Sequence, residues 1–184
     1  MEYLIYFYVY SLLGWLLETI YASIRRHRYC SKQTLLKSPL CPIYGIGAVL
    51  MLWLLSPVQD SYALVFAGGF FIASSVEYLV SAYYLRRFHI RRWSYAKCFG
   101  NLDGHVTISY SILWGFFAIC LLFWLHPAIR ALLCRLDFRL LSMGAYLVSI
   151  WVIRDYQSTL RELDRYAKGE ENCILTKFLY VTKP

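Results

Sequence analysis

Charge is what this sequence has least of. Charged residues fill 16% of its 184 positions, against about 25% in a typical soluble domain. Hydrophobic residues reach 59% and the mean hydropathy is +0.47. So little charge excludes a water-soluble globule, and with 18% aromatic residues it also excludes a disordered chain. Chemical motifs are missing too. There is no GxxxxGK[ST] loop, which excludes a P-loop ATPase, and Gly45-Ile46-Gly47 follows no strand, which excludes a dinucleotide fingerprint. No nucleophile elbow is present. Cys98, Asp103 and His105 lack the paired CxxC or HExxH spacing of a metal site. No metal or cofactor is therefore expected, and no enzymatic activity.

Acidic residues are scarcer than basic ones, 11 against 19, for a net charge of +8. On a soluble chain that excess would suggest nucleic acid. On an apolar chain it reports orientation in a membrane instead, so no nucleic-acid partner is expected.

The abundant residues are arranged in long apolar runs. A spanning helix needs about 20 of them, because the hydrocarbon core is about 30 Å thick and each residue rises about 1.5 Å. Leu4 to Ile24, Tyr62 to Leu85 and Val106 to Leu125 meet this length, the first two with one interior charge each, Glu18 and Glu77. Two shorter runs, Ile43 to Ser56 and Leu140 to Ile153, would reach only about 21 Å as helices. Both can lengthen backwards. The expectation is an all-α polytopic membrane bundle of about five helices, residues 4–24, 40–56, 62–85, 106–125 and 136–153, in one membrane domain over residues 1–153. Residues 154–184 would form a cytoplasmic amphipathic tail, with Gly169 as a helix stop. Residues 128–139 read as a short helix lying in the interface.

Sixteen of the nineteen Lys and Arg fall in the loops on one side of this arrangement. Positive residues favour the cytoplasm, which puts the N-terminus outside and the C-terminus inside a bacterial plasma membrane. Met1-Glu2 lacks the basic start of a cleavable signal, so the first span is expected to stay in the mature chain. Tyr3, Tyr6, Tyr10, Tyr21, Tyr83 and Tyr84 fall where an interfacial aromatic belt would lie. Of the six cysteines, Cys30, Cys41, Cys98 and Cys173 face the cytosol on this topology, and most of the six should be free thiols.

Spans one and three share a plan. Each carries one glutamate in its inner half, Glu18 or Glu77, then a double arginine at the cytoplasmic edge, Arg25-Arg26 or Arg86-Arg87. Each then enters a basic segment with a cysteine and glycines, Cys41 to Gly47 or Cys98 to Gly104. Such a repeat would be parallel, about an axis along the membrane normal. Alternatively, all hairpins of this topology look alike. An ionisable group within a span costs about 2.5–3.5 kcal/mol by insertion scales, so it normally meets a partner or a wet cavity. Glu18 and Glu77 are thus the leading candidates for a substrate or ion site, unless each only ties helices together. If they face one another, one holds a proton, since like charges push pKa values apart.

The ordered motifs Gly14-Trp15-x-x-Glu18, Pro39-Leu40-Cys41-Pro42-Ile43-Tyr44-Gly45-Ile46-Gly47, Glu77, Asn101-x-x-Gly104 and Ser111-x-x-Trp114-Gly115 resemble a bacterial family of small membrane proteins. It is named putative ABC-transporter type IV, also labelled CmpB-like permeases. The resemblance covers roughly the first 130 residues. Family members commonly have Gly at the position of Ser38, and Trp-Asp-Tyr-Ser where this chain reads Trp93-Ser94-Tyr95-Ala96. The resemblance implies a permease served by a separate ATPase subunit. Tyr44, Gly45 and Asn101 join the two glutamates as site candidates, while Gly14, Pro39, Pro42, Gly47, Gly104 and Gly115 are expected in helix packing or loops.

The leading expectation is a membrane component of a transport system, in contact with the lipid bilayer and an ATPase, and working as an oligomer or with partners. A scaffold or accessory subunit is the alternative. A third reading, an intramembrane enzyme acting on lipid phosphates through Arg25, Arg26, Arg86 and Arg87, competes with their ordinary role as positive-inside residues.

Overall fold

A computed structural model of the chain describes residues 1–26 and 38–168. The expectations placed on Cys30, Gly169 and Cys173, and on the side chains of Arg25 and Arg26, lie outside the described residues. The protein is an all-α membrane protein with one minimal β-hairpin. Its elements are α1 (Glu2–Arg26), α2 (Pro42–Leu55) followed by a single 3-10 turn (Ser56–Val58), α3 (Tyr62–Phe88), β1 (Asn101–Leu102), β2 (Val106–Thr107), α4 (Ile108–Cys120), a π turn (Leu121–Leu125), α5 (His126–Leu133) and α6 (Phe138–Ala167).

Among the described residues, three helical segments are long and apolar enough to cross a bilayer: Glu2–Ile24, Tyr62–Phe88 and Ile108–Leu133. Apolar side chains such as Leu17, Phe71, Leu79, Phe116 and Trp124 stand at least half exposed on them. Such surfaces suit lipid rather than water. The helix α2 is apolar throughout but short, and α6 is long but apolar only in its first half.

The chain folds as two compact units. Within the described residues, the first comprises 1–26, 38–46 and 137–168. There Pro42 opens α2 at a position where its missing N–H costs nothing, and the Cys41 amide donates to the Ser11 carbonyl at 2.9 Å. Asp137 caps α6 by accepting from the Arg139 amide at 2.7 Å. The Tyr8 hydroxyl then joins α1 to Ser149 of α6 at 2.7 Å.

The second unit comprises 47–136, and its centre is the pairing of α3 with α4. Small residues let the two helices approach. A Cβ added at Gly115 would stand 2.9 Å from the Phe66 carbonyl, and one added at Gly69 would collide with Ala118. The hydroxyls of Ser74 and Ser111 bond across the seam at 2.6 Å. His89 ends α3 in the left-handed region, φ 56°, with its amide and that of Ile90 returning to the last carbonyls of the helix.

Three boundaries differ from the sequence expectation. The span expected from Val106 starts at Ile108, because Val106 and Thr107 pair with Leu102 and Asn101 as a β-hairpin. His126-Pro127 does not end that span. Instead, the π turn gives the His126 amide the Leu121 carbonyl as acceptor, and this wider ring accommodates the proline. The helix runs on to Leu133, so residues 128–133 continue the span and residues 134–137 turn the chain. The expected fifth span and tail helix are likewise one element, α6, since no breaker separates Ile153 from Arg154.

Candidate functional site

Glu18 and Glu77 are each held by an aromatic donor. In the first unit, Gly14 lies one turn before Glu18 on α1. Its bare Cα lets the Tyr44 side chain approach the helix closely, where any Cβ would collide with it. From there the Tyr44 hydroxyl donates to Glu18 Oε1 at 2.7 Å. Gly45 permits the same approach from α2, since a Cβ there would stand 2.6 Å from the Phe7 carbonyl. The carboxylate is partly buried, and Ser11 and Thr19 on the same helix are buried with no hydrogen-bond partner for their hydroxyls among the described residues.

In the second unit, Glu77 is 8% exposed. Its two oxygens are divided between two donors, the Tyr95 hydroxyl on Oε1 at 2.9 Å and the Trp114 indole N–H on Oε2 at 3.3 Å. Donors of this kind offset the cost of removing a carboxylate from water. Tyr95 arrives from the loop after α3, which is tied down along its length. The Tyr95 amide donates to the Gly104 carbonyl at 2.9 Å, the Trp93 indole to the His105 carbonyl at 3.0 Å, and Arg91 to the Asp103 carbonyl at 3.2 Å.

At the tip of this loop Asp103 and Gly104 both have positive φ, 52° and 71°, and the His105 amide closes the turn on the Leu102 carbonyl. Asp-Gly suits the two central positions of such a turn, and three residues, Asp103 to His105, separate the paired Leu102 and Val106. Asn101 belongs to that turn. Its amide nitrogen donates to the Cys98 carbonyl at 2.9 Å and its oxygen accepts from the Gly104 amide at 3.0 Å. It therefore braces the loop and contacts neither glutamate. A Cβ at Gly47 would meet nothing within 4 Å, so no close helix contact rests on that glycine. Pro39 is exposed beside the start of α2.

His105 is 6% exposed and shares a 2.7 Å hydrogen bond between its Nδ1 and the Ser81 hydroxyl. Burial, then the nearby Arg91 charge, lowers its pKa below the ordinary histidine value, with Asp103 opposing. The ring is thus held neutral. Nearer the end of α3, Arg86 and Arg87 rim a surface hollow of about 430 Å³ whose remaining walls are Leu79, Ala82 and Tyr83. The Arg87 guanidinium lies 5.1 Å from the Phe88 ring centre.

The arrangement joins two residues the sequence had proposed together, Glu18 and Tyr44. It adds Tyr95, Trp114, Ser81 and His105, of which the sequence had weighed only His105 for a site, as a metal ligand, and had placed Tyr95 and Trp114 in family segments without a role. Chemically, both carboxylates can accept hydrogen bonds or hold a proton within apolar helices. No curated protein and no solved structure matches the chain. The sequence profile of one family does, over residues 5–160, which takes in both glutamates, their aromatic donors and most of α6. The chain belongs to that family, described as Putative ABC-transporter type IV.

Proposed function

We propose that this protein is the membrane-embedded, permease-like component of an ABC-type transport system. The family it belongs to supports this reading, and one observation carries it: two carboxylates lie within apolar helices, each held in place by an aromatic donor. Ionisable groups at such positions mark substrate or ion pathways by default. Glu18 and Glu77 would supply the polar contacts of such a pathway. The chain itself would catalyse no reaction. A separate ATPase subunit would hydrolyse ATP and would dock on the basic cytoplasmic loops.

In this proposal the protein is multi-pass in a bacterial plasma membrane, N-terminus outside and C-terminus cytoplasmic. Arg86 and Arg87 would sit at the inner headgroup level, where the hollow beside Leu79 and Tyr83 suits an anionic lipid. So few spans call for assembly into an oligomer or with partners. Purification from native membranes under mild detergent tests the reading: an ATPase subunit should co-purify. Folded Glu18→Gln and Glu77→Gln variants should lose transport, and normal transport in both would overturn the site.

A second reading, a scaffold or accessory subunit, is favoured by one specific observation. Both oxygens of Glu77 are engaged by donors in a close-packed seam, as a purely structural carboxylate would be. A Glu77→Gln variant that keeps transport but melts lower, with Glu18→Gln equally active, would select it.

A further inference from the structure

The two glutamates meet their aromatic partners through one geometry. On α1, Phe7 precedes Glu18 by eleven residues, and on α3, Phe66 precedes Glu77 by eleven. The returning helix presents an aromatic residue followed by glycine in each case, Tyr44-Gly45 and Trp114-Gly115. Each glycine seats on the corresponding phenylalanine: a Cβ at Gly45 would stand 2.6 Å from the Phe7 carbonyl, and one at Gly115 would stand 2.9 Å from that of Phe66. Each preceding aromatic donates to the corresponding glutamate, Tyr44 to Glu18 and Trp114 to Glu77.

This structural register fixes a sequence alignment with no free parameter. Residues 42–57, PIYGIGAVLMLWLLSP, lie against residues 112–127, ILWGFFAICLLFWLHP, without a gap. Five of the sixteen positions are identical, among them Gly45 with Gly115, Ala48 with Ala118 and Pro57 with Pro127. Burial follows the same register. Ala48 and Ala118 are buried at 4% and 0%, and Met51 and Leu121 at 2% and 0%. On the outgoing helices Tyr6, Tyr10 and Gly14 are buried, as are Val65, Gly69 and Ala73 at the matching positions. Both returning helices also leave α-geometry beside the matching proline, one in a 3-10 turn and the other in a π turn.

Two unrelated helical hairpins would share small residues at their seam. They would not share the Phe-to-Glu spacing, the glycine seat, the aromatic donor and the proline together. The repeat expected from the sequence set Cys41 to Gly47 against Cys98 to Gly104, whereas the contacts set Gly45 against Gly115.

We infer that the chain contains two copies of one hairpin module, α1–α2 and α3–α4, and that Tyr44 and Trp114 are equivalent positioning residues for equivalent carboxylates, Glu18 and Glu77. Tyr95 is an addition of the second copy. The helix α6 stands outside the repeat. This inference is independent of whether the protein transports anything.

The test uses the full chain in lipid nanodiscs, with native cysteines replaced by serine. Spin labels are placed at Leu12 and Ile46 in one variant, and at Phe71 and Phe116 in another, all of them exposed positions that match under the register. Dipolar broadening should give the same separation in both pairs. A difference of about one helical turn, 5.4 Å, overturns the equivalence. Melting then tests the positioning role. Tyr44→Phe and Trp114→Phe, which remove the donors, should each lower the melting temperature by roughly 2–4 °C. The reciprocal changes Tyr44→Trp and Trp114→Tyr, each importing the other copy's donor, should restore most of that loss. Gly14 leaves Trp at position 44 at least the room that Ala73 marks at the equivalent place. A reciprocal variant melting as low as its phenylalanine counterpart also overturns the inference.

Discussion

Tyr95 stands eighteen residues after Glu77 in the chain, beyond the end of α3, yet its hydroxyl lies 2.9 Å from Glu77 Oε1. The loop must therefore fold back along the helix it has just left. The left-handed His89 starts that reversal, and the bonds from Trp93 to His105 and from Tyr95 to Gly104 fix its path. Removing the hydroxyl alone isolates the consequence. Tyr95→Phe keeps the ring but leaves a buried carboxylate short of a donor, so stability should fall by about 1–3 kcal/mol. Thermal unfolding in detergent, with Tyr110→Phe as a control on the neighbouring ring, measures it.

Glycine positions divide into those that carry a contact and those, Gly47 and Gly144, that do not. Gly115→Ala forces a Cβ against the Phe66 backbone and ring, and overpacking of this kind should cost about 1–3 kcal/mol. Gly14→Ala should behave alike through Tyr44. By contrast, Gly47→Ala meets open space and replaces a poor helix former inside α2, a change worth up to about 1 kcal/mol in the stabilising direction. Equal losses at positions 47 and 115 in urea or thermal melts would contradict this account.

How much of this was legible in the sequence depends on whether a feature is local. Length and apolarity locate the three long helices, and the lone charges at positions 18 and 77 mark the sites that need partners. Tyr44 could be named because it stands in the Pro39 to Gly47 motif of the family resemblance. Tyr95 and Trp114 stand in quoted segments too, but their bonds to Glu77 could not be read, because a hydrogen bond between distant residues has no periodic trace. The Asp103-Gly104 hairpin did carry a local signal, the Asp-Gly pair between Leu102 and His105, and it explains why the helix begins at Ile108. Proline misled at position 127, since the π turn that absorbs it is a backbone adjustment no residue type announces. The repeat follows the same division. Cysteines and glycines in the loops set Cys41 to Gly47 beside Cys98 to Gly104, while the packed residues correspond around Gly45 and Gly115.

The buried His105 gives the protein a pH dependence of definite sign. Burial and Arg91 lower its pKa in the folded state below the unfolded value of 6.5, so the unfolded chain binds the proton more readily. This contribution to stability is fully present above about pH 6.5 and is lost as the pH falls through the lowered folded value. Melting temperature should therefore decline on acidification below that point, and His105→Gln should flatten this part of the profile. A profile unchanged by the substitution would place the dependence on another group.

Two exposed free cysteines report the topology without any added label site. Cys98 lies in the loop between α3 and the β-hairpin, and Cys134 in the turn between α5 and α6. A continuous helix, Ile108–Leu133, long enough to cross the bilayer, separates them. They should consequently face opposite sides of the membrane. The basic residues around Cys98, namely Arg91, Arg92 and Lys97, assign it to the cytoplasm by the positive-inside preference. In variants retaining only one of the two cysteines, a membrane-impermeant maleimide applied to intact spheroplasts should label Cys134 and spare Cys98. Inverted vesicles should reverse the pattern. Labelling of both from the same side would mean that α4 and α5 do not cross together, and the proposed orientation would fall with it.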